Sequence, residues 1–473
     1  MRARILDEAN RKWLTLAAVA FGLFMIMLDN TVVNVALPSI QRELHIGLSE
    51  LEWIVTGYAL TFAALMLIGG KLADLLGRRL VFVAGIAIFT AASLACGLAS
   101  SGDVLIGARV AQGVGAALMN PATLSIIAAT FPPQQRGMAI GIWAGVSALA
   151  LAIGPLVGGL ITEHVSWSWI FFINVPVGVV AIAASFLVIR ESRDESEEQR
   201  LDLPGLVTSS IGLFALTYAL IEANSYGWGS TRIMGAFVVA AVALGAFILL
   251  ERHQRLPMLD LSLFRSGTYA GANIVVLLVA LAMFGVFFFV SLYMQNVLGY
   301  SPVQAGAAFL PMTVLIILVA PIAGRLSDRL GSRWLMTTGM TLLGVQLLLF
   351  SRLGTEETFW SLFPALVIGG FGMALTMTPS AAAAVRSVPV DKSGVGSAVL
   401  NAFRQVGGSM GIALMGAIVA HAAAGRRTPD AFMDGFSTAL VVAAAIAFAG
   451  ALVAAAMVRP HPVQAGPPVP EVA

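Results

Sequence analysis

Asp29 stands in the run Leu28-Asp29-Asn30-Thr31-Val32-Val33-Asn34, an acid with amides and a hydroxyl beside it and apolar sequence on both sides. Desolvation favours the neutral form of a carboxylate, and a nearby cation favours the charged form. An acid balanced between the two can take a proton from one side of a barrier and release it to the other. Arg109 and Gln112, three residues apart and therefore on one helical face, are a second polar island in apolar sequence. Asn401, Arg404, Gln405 and Gly408 form a third, recurring at helical spacing as one polar face. The chemistry these islands offer is proton binding and ion pairing. No Walker loop, metal-ligand cluster or nucleophile and base pattern accompanies them, and His45, His164, His253, His421 and His461 all fall in loops, termini or helix ends, which disfavours an enzyme.

The elements that must position these groups follow from composition. The chain has 473 residues, 58% hydrophobic and 11% charged, with a mean hydropathy of +0.90. A soluble domain carries about 25% charged residues, so a water-soluble enzyme is excluded. The 27 basic and 25 acidic residues nearly cancel, which gives no argument for nucleic acid. Runs such as 81–99 hold 19 residues without a charge, and ~20 helical residues cross the ~30 Å hydrocarbon core. Backbone groups in lipid must bond to each other and barrel alternation is absent, so the runs are helices. The single cysteine, Cys96, lies in one of them and rules out a disulfide framework.

Fourteen spans are expected, near 13–37, 51–70, 80–99, 104–129, 138–161, 168–189, 205–222, 233–250, 269–294, 303–323, 334–352, 361–385, 395–419 and 436–458. The weakest stretch is 204–250, which Glu222 and the Tyr226-Gly227-Trp228 turn interrupt. With the N-terminus inside, 20 Lys and Arg fall on the cytoplasmic side and only Arg42, Arg232, Arg352, Arg426 and Arg427 outside. That asymmetry requires an even number of spans. Arg109 and Arg404 are the two basic residues left inside helices. Seven of the eight tryptophans fall near interfaces, and the basic N-terminus reads as an uncleaved first helix rather than a signal peptide.

Gly70-Lys-Leu-Ala-Asp74-Leu-Leu-Gly77-Arg78-Arg79 returns 254 residues later as Gly324-Arg-Leu-Ser-Asp328-Arg-Leu-Gly331-Ser-Arg333, and the loop before each aligns at the same offset. Two homologous halves of six helices are implied, with helices seven and eight inserted between them; such repeats place a substrate site between the halves near the midplane. The decamer at 70–79 resembles the cytoplasmic loop signature of the major facilitator superfamily. Arg109-Val-Ala-Gln112-Gly113-Val-Gly115 resembles its fourth-helix motif, and Gly154-Pro155-Leu-Val-Gly158-Gly159 its fifth-helix antiporter motif. Residues 28–38 resemble the first-helix motif of the fourteen-span drug:proton antiporters. The resemblance covers essentially the whole chain. Leu75 departs from it where the family usually has a basic residue, and Ala150 where the antiporter motif often starts with Gly.

Asp29 is the one acid expected deep in a helix, where a charged group costs at least about 2.5 kcal/mol and commonly marks a functional site. It lies nine residues before Pro38, about 13 Å below the outer end, and Arg109 lies about 9 Å below its own outer end, so the two can share a layer. The expectation is a proton-coupling pair, Asp29 with Arg109, that Gln112 can join. The alternatives are a structural hydrogen bond for Asp29 and helix organisation for Arg109. Gln112, Asn401, Arg404, Gln405 and Phe287 are substrate-cavity candidates, Phe287 with Phe284, Phe288 and Met283 on helix nine. Interhelical packing is the competing reading for the polar face, and lipid contact or packing for the phenylalanines. At the repeat offset Asp29 corresponds to Met283, so only the first half carries the acid. The resemblance implies a gating latch for Gly70, Asp74, Gly77, Arg78, Gly324, Asp328, Gly331 and Arg333, beside topology signalling and capping. It implies leak suppression for Gly154, Pro155, Gly158 and Gly159, beside close helix packing.

The expectation is an all-α polytopic membrane protein of 14 transmembrane helices, an inverted-repeat transporter fold of two six-helix bundles plus two inserted helices. It divides into a cytoplasmic tail 1–12, an N-terminal bundle 13–190, a loop 191–204, two additional helices 205–250, a loop 251–268, a C-terminal bundle 269–458 and a cytoplasmic tail 459–473. The expected function is proton-coupled export of lipophilic small molecules, drugs or metabolites, by alternating access. It would use no cofactor beyond the proton gradient and no metal, with protons, a small-molecule substrate and the lipid bilayer as partners, no nucleic acid, and a monomer as the working unit. The expected location is the cell (inner) membrane with both termini cytoplasmic. Proton-coupled uptake of a solute, and a non-transporting sensor or scaffold, are the competing readings; a scaffold would have little use for a buried Asp and Arg.

Overall fold

Several helices begin where the sequence offers a proline or a capping side chain. The computed structural model describes residues 8–193, 202–254, 257, 259–388, 393–423 and 429–459, among which there is no strand. Its main helices are α1 Glu8–Leu44, α2 Leu48–Leu76, α3 Arg78–Gly97, α4 Gly102–Thr130, α5 Pro133–His164, α6 Asn174–Val188 and α7 Leu203–Tyr226. They continue as α8 Thr231–His253, α9 Gly267–Leu292, α10 Leu310–Leu330, α11 Ser332–Phe350, α12 Phe359–Arg386, α13 Ser393–Ala423 and α14 Pro429–Met457. The short turns Trp169–Phe172 and Pro302–Ala308 lead into α6 and α10, and a π-helical turn, Tyr293–Val297, prolongs α9. Asp202 caps α7 by accepting from Gly205 N at 2.7 Å, and the hydroxyls of Ser101, Ser230 and Ser266 cap α4, α8 and α9, each satisfying an otherwise unpaired backbone donor.

These helices coincide with the expected spans. By length and apolarity twelve of them can cross a membrane, or thirteen with the bent helix α2 counted as one span. The remaining helix, α5, has 32 residues, some with side chains outside the described set. One boundary moves: α1 continues through Pro38 to Leu44, so Asp29 lies deeper than the Pro38 boundary implied. A proline forfeits one helix hydrogen bond, and neighbouring helices in a bundle hold the chain straight enough to continue. Of the basic residues used for orientation, Arg2, Arg4, Arg200, Arg255, Lys392, Arg426 and Arg427 lie outside the described residues, as do most of both tails and of the loop 191–204.

The apolar cores show how the helices join. One cluster, with Leu23, Phe82, Phe89 and Met119, stays almost wholly within α1–α6. A larger one combines the C-terminal helices with Val32, Leu37, Leu51 and Ile54, near the end of α1 and α2 that the charge asymmetry assigns to the outside. Gln295 Nε2 donates to Val35 O at 2.9 Å, Ser291 Oγ to Asn34 O at 3.0 Å, and Val303 N to Glu163 at 2.9 Å. Among the described residues these hydrogen bonds between the first six helices and the last six all lie toward that outer end. The first six and last six helices are thus hydrogen-bonded to each other at the end that the charge asymmetry assigns to the outside. Helices α7 and α8 pack on each other at the periphery, with only 11% of the α8 apolar window buried in protein, while α7 also reaches α2 and α13.

Candidate functional site

Helices α1 and α4 bring Asp29 and Arg109 into direct contact. Arg109 Nη1 lies 2.5 Å from Asp29 Oδ2, with both side chains 1% exposed or less. Gln112 closes the group: its Nε2 donates to Asp29 Oδ1 at 2.9 Å and its Oε1 accepts from Arg109 at 2.6 Å. Both carboxylate oxygens are thus engaged. The guanidinium reaches further, with Nε donating to Ile54 O at 3.0 Å and its plane 4.2 Å from the Tyr58 ring. Gln112 Nε2 also donates to Ser93 Oγ at 2.9 Å, and Ser93 in turn accepts from Asn174 at 3.4 Å. Five helices, α1, α2, α3, α4 and α6, therefore meet at this one pair.

A charge pair so enclosed must offset desolvation with hydrogen bonds to both partners, and this one does. Neutralising Asp29 would remove the counter-charge that holds Arg109 at the meeting point of these five helices. Sequence reasoning placed Asp29, Arg109 and Gln112 but missed Ser93, Asn174 and Tyr58. Their signal was a polar side chain inside an apolar span, which many residues share.

One cavity expectation is corrected. Gln112 is fully buried and lines no cavity, because its amide is consumed between Asp29, Arg109 and Ser93. On α13, Asn401 is half-buried and donates back to Ser397 O at 3.1 Å, and Arg404 is half-buried with no bonding partner for Nε. Gln405, by contrast, is 1% exposed with its Nε2 unpaired, so the expected face is split between an accessible Arg404 and an enclosed Gln405. Phe287 packs on Phe309 at 5.4 Å, and Phe288 is buried against Phe289.

The two decamers are held differently. Gly77 and Gly331 adopt φ of 120° and 83°, the tight turns that only glycine makes without strain. Asp74 pairs with Arg78 at 2.9 Å, at the junction of α2 and α3. Asp328 pairs with Arg386 of α12 at 2.5 Å, and Arg386 also donates to Ser327 and Ser332. Among the described residues neither aspartate bonds to the other half. Gly70 and Gly324 face Pro121 and Thr378 at ordinary contact distance, and Arg333 lies over Trp334. Glu191, which the sequence did not single out, caps α3 by accepting from the backbone N of Arg79 and Leu80.

The α5 glycines serve two neighbours. A side chain at Gly154 would collide with Thr31 Oγ1, and one at Gly158 would stand 2.6 Å from Val32 O, both on α1 just beyond Asp29. Gly159 meets Pro302 O, and Pro155 O in turn meets Gly306. One helix therefore touches both the Asp29 helix and the C-terminal half. Glu52 of α2, which the sequence did not single out, is 2% exposed near the start of its helix, enclosed because α13 packs across it at Gly416.

Comparison with known proteins agrees with this architecture. A family model described as the Major Facilitator Superfamily matches residues 19–411 and 272–473. The chain is 37% identical to the tetracenomycin C resistance and export protein of Streptomyces glaucescens, over 91% of this chain and 79% of that one. It is 37% identical to the puromycin resistance protein pur8 of Streptomyces alboniger, over 92% and 88% of the two chains, and 37% identical to the multidrug resistance protein Stp of Mycobacterium tuberculosis, over 86% and 76%. Among solved structures it resembles a bacterial homologue of the human lysosomal transporter Spinster in an inward-facing, unoccupied conformation. That match has a TM-score of 0.65 and 18% identity, covering 94% and 96% of the two chains.

Proposed function

Because the chain belongs to the major facilitator superfamily, we propose that it is a proton-driven exporter of lipophilic small molecules that works by alternating access. It is a multi-pass membrane transporter. Export of antibiotics or related toxic molecules is the reading that the named relatives support, since the tetracenomycin C, puromycin and multidrug resistance proteins each align over most of their length. The fourteen-span arrangement with both termini in the cytoplasm, the two six-helix bundles, the inner-membrane location and a monomeric working unit belong to the same proposal.

The observation that carries proton coupling is the enclosed Asp29, Arg109 and Gln112 group. Both oxygens of Asp29 accept hydrogen bonds from Arg109 and Gln112, and in the proposed cycle this is the state reached after its proton would have left inward. Substrate would enter from the inside toward the Arg404 face and Phe287. When the outer contacts at Gln295, Ser291 and Glu163 part, Asp29 would take a proton from outside, release Arg109 and let the substrate leave. The α5 glycines would keep the outer path sealed while helix α1 changes its pairing, and the decamers would latch the inner side in the opposite state.

The test is drug efflux in a pump-deficient bacterial host. The wild type should raise resistance to a set of lipophilic drugs and Asp29→Asn should abolish the gain at equal membrane abundance. Equal sensitivity of both across a broad panel would overturn the export reading. Transport that survives collapse of the proton gradient would overturn the coupling.

A further inference from the structure

Glu52 is a buried acid for which the coupling pair has no use. It lies on the first turns of α2, about 6 Å below the outer end of that helix, and it is 2% exposed. Its carboxylate sits on the backbone of Gly416 in α13, where even a methyl group would overlap it. Its side chain accepts no hydrogen bond among the described residues. The charge that faces it is a second carboxylate, Glu222, contributed by the inserted helix α7. Glu222 is anchored beside it, accepting from Ser49 Oγ at 2.7 Å and from Trp53 Nε1 at 3.2 Å, one residue type on each side of Glu52 along α2.

The other charges on the surrounding helices lie elsewhere. Arg109 is committed to Asp29 and to the carbonyl of Ile54, and Glu50 on the same helix bonds the backbone N of Gly47. Asp103 begins α4, Arg42 bonds Ser39 and Glu43 accepts from Trp167. Arg78 and Arg79 start α3 at its opposite end. On α13, His421 is exposed beyond Gly416, and Arg404 lies about 18 Å inward. On α8, Arg232 lies over the rings of Tyr218 and Tyr226, one turn before and one turn after Glu222, so the cation nearest the site stands on the Glu222 side. Among the described residues no ion pair joins a cation to Glu52.

We propose that Glu52, with Glu222 beside it, is a second proton-binding site, an outer latch in which the first half, the inserted pair and the second half close together only when Glu52 holds a proton. A carboxylate enclosed as Glu52 is, with a second carboxylate beside it, is disfavoured as an anion, so a proton on Glu52 belongs to the closed form. Separation of α13 from α2 would uncover Glu52 to outside water and let it ionise, which repels Glu222 and holds the gate open. Lower external pH therefore favours closure, with the sign set by the closed form binding the extra proton. The inserted helix α7 gains a role here: it brings the second acid. The inference rests on alternating access but not on Asp29 carrying the transported proton.

The test uses the full chain in liposomes with nitroxides at Ser100→Cys and Thr355→Cys, two exposed positions at the outer ends of the two halves, while buried Cys96 stays unlabelled. Spin–spin distances across these sites should shorten as external pH falls from about 8 to about 6 in the wild type. Glu52→Gln, which keeps the shape and mimics the protonated acid, should remain closed throughout. Glu222→Gln should move the midpoint down by about one pH unit, because the neighbouring charge that favours protonation is gone; this second variant decides the matter if the first does not fold. A distance that ignores pH in the wild type overturns the latch. So does a pH response that persists in Glu52→Gln but vanishes in Asp29→Asn, which assigns the proton to Asp29. Drug export by the wild type, assayed in parallel, judges the transport reading separately.

Discussion

Gly158 of α5 lies directly against the carbonyl of Val32 on α1, three residues beyond Asp29, with no room for a side chain between them. The antiporter-like motif is thus physically joined to the helix that carries Asp29. Inserting a methyl group into a full interface typically costs about 1–3 kcal/mol. Gly158→Ala should reach the membrane at normal abundance yet lose about tenfold or more in drug efflux rate, while Gly145→Ala, with nothing within 4 Å of the added atom, should transport normally. Efflux of a fluorescent dye from loaded cells measures both.

Removing one partner of the buried pair leaves the other charge uncompensated, a loss of about 3–5 kcal/mol in comparable sites. Arg109→Ala should therefore lower the thermal unfolding temperature in detergent more than Asp29→Asn does, since the single side-chain oxygen of Asn still accepts from one of the two donors, Arg109 or Gln112. Restoring charge balance in the double variant Asp29→Asn/Arg109→Gln should recover part of the stability but none of the proton-coupled transport. Differential scanning fluorimetry and transport under an imposed pH gradient check the two halves of the statement.

Hydrogen bonds from the Ser301 side chain and the Val303 backbone hold the exposed Glu163 carboxyl below the usual carboxylate range. A depressed folded-state value means that this outer contact is fully present above the ordinary carboxylate pKa and is lost only as pH falls through the lowered one. Glu163→Gln should thus weaken outer closure equally across the neutral range, with no new pH dependence. This differs from Glu52→Gln, which removes a dependence, and the same nitroxide distances separate the two.

Asp74 and Arg78 form a partly exposed pair, with side-chain exposures of 32% and 20%, of a kind that contributes at most about 1 kcal/mol. Asp74→Asn should leave the unfolding temperature within about a degree or two and membrane insertion unchanged. Transport should nevertheless fall severalfold, because the latch that Asp74 would make belongs to the opposite, inside-closed state. Unchanged transport kinetics would remove the latch role.

How much of this was legible in the sequence depends on the kind of information each feature needs. The helical runs at 81–99 and elsewhere were legible because span length and apolarity are local sums over ~20 residues, and the side of each loop follows from counting Lys and Arg. Asp29 and Arg109 stood out because a charge in an apolar run is conspicuous by itself. Glu52 escaped notice because it sits four residues into α2, where an acid ordinarily reaches water; only α13 crossing at Gly416 encloses it. Gln112 was legible as a polar neighbour of Arg109, yet whether its amide faced a cavity or the ion pair depended on Ser93 and Asp29 arriving from other helices.

The sequence by itself thus determined that the chain is a bundle of membrane helices in two related halves, and which few charges lie within it. The tertiary structure decided which of those charges touch, that Arg404 is left with an unpaired Nε, at which end the two sets of six helices bond to each other, and that the inserted helix α7 brings Glu222 beside Ser49 and Trp53, the neighbours of Glu52. The reason is physical. Partition into lipid is a property of each segment alone, whereas burial and pairing of a side chain depend on helices that lie hundreds of residues apart in sequence and meet only through close packing at small residues such as Gly154, Gly158, Gly159 and Gly416.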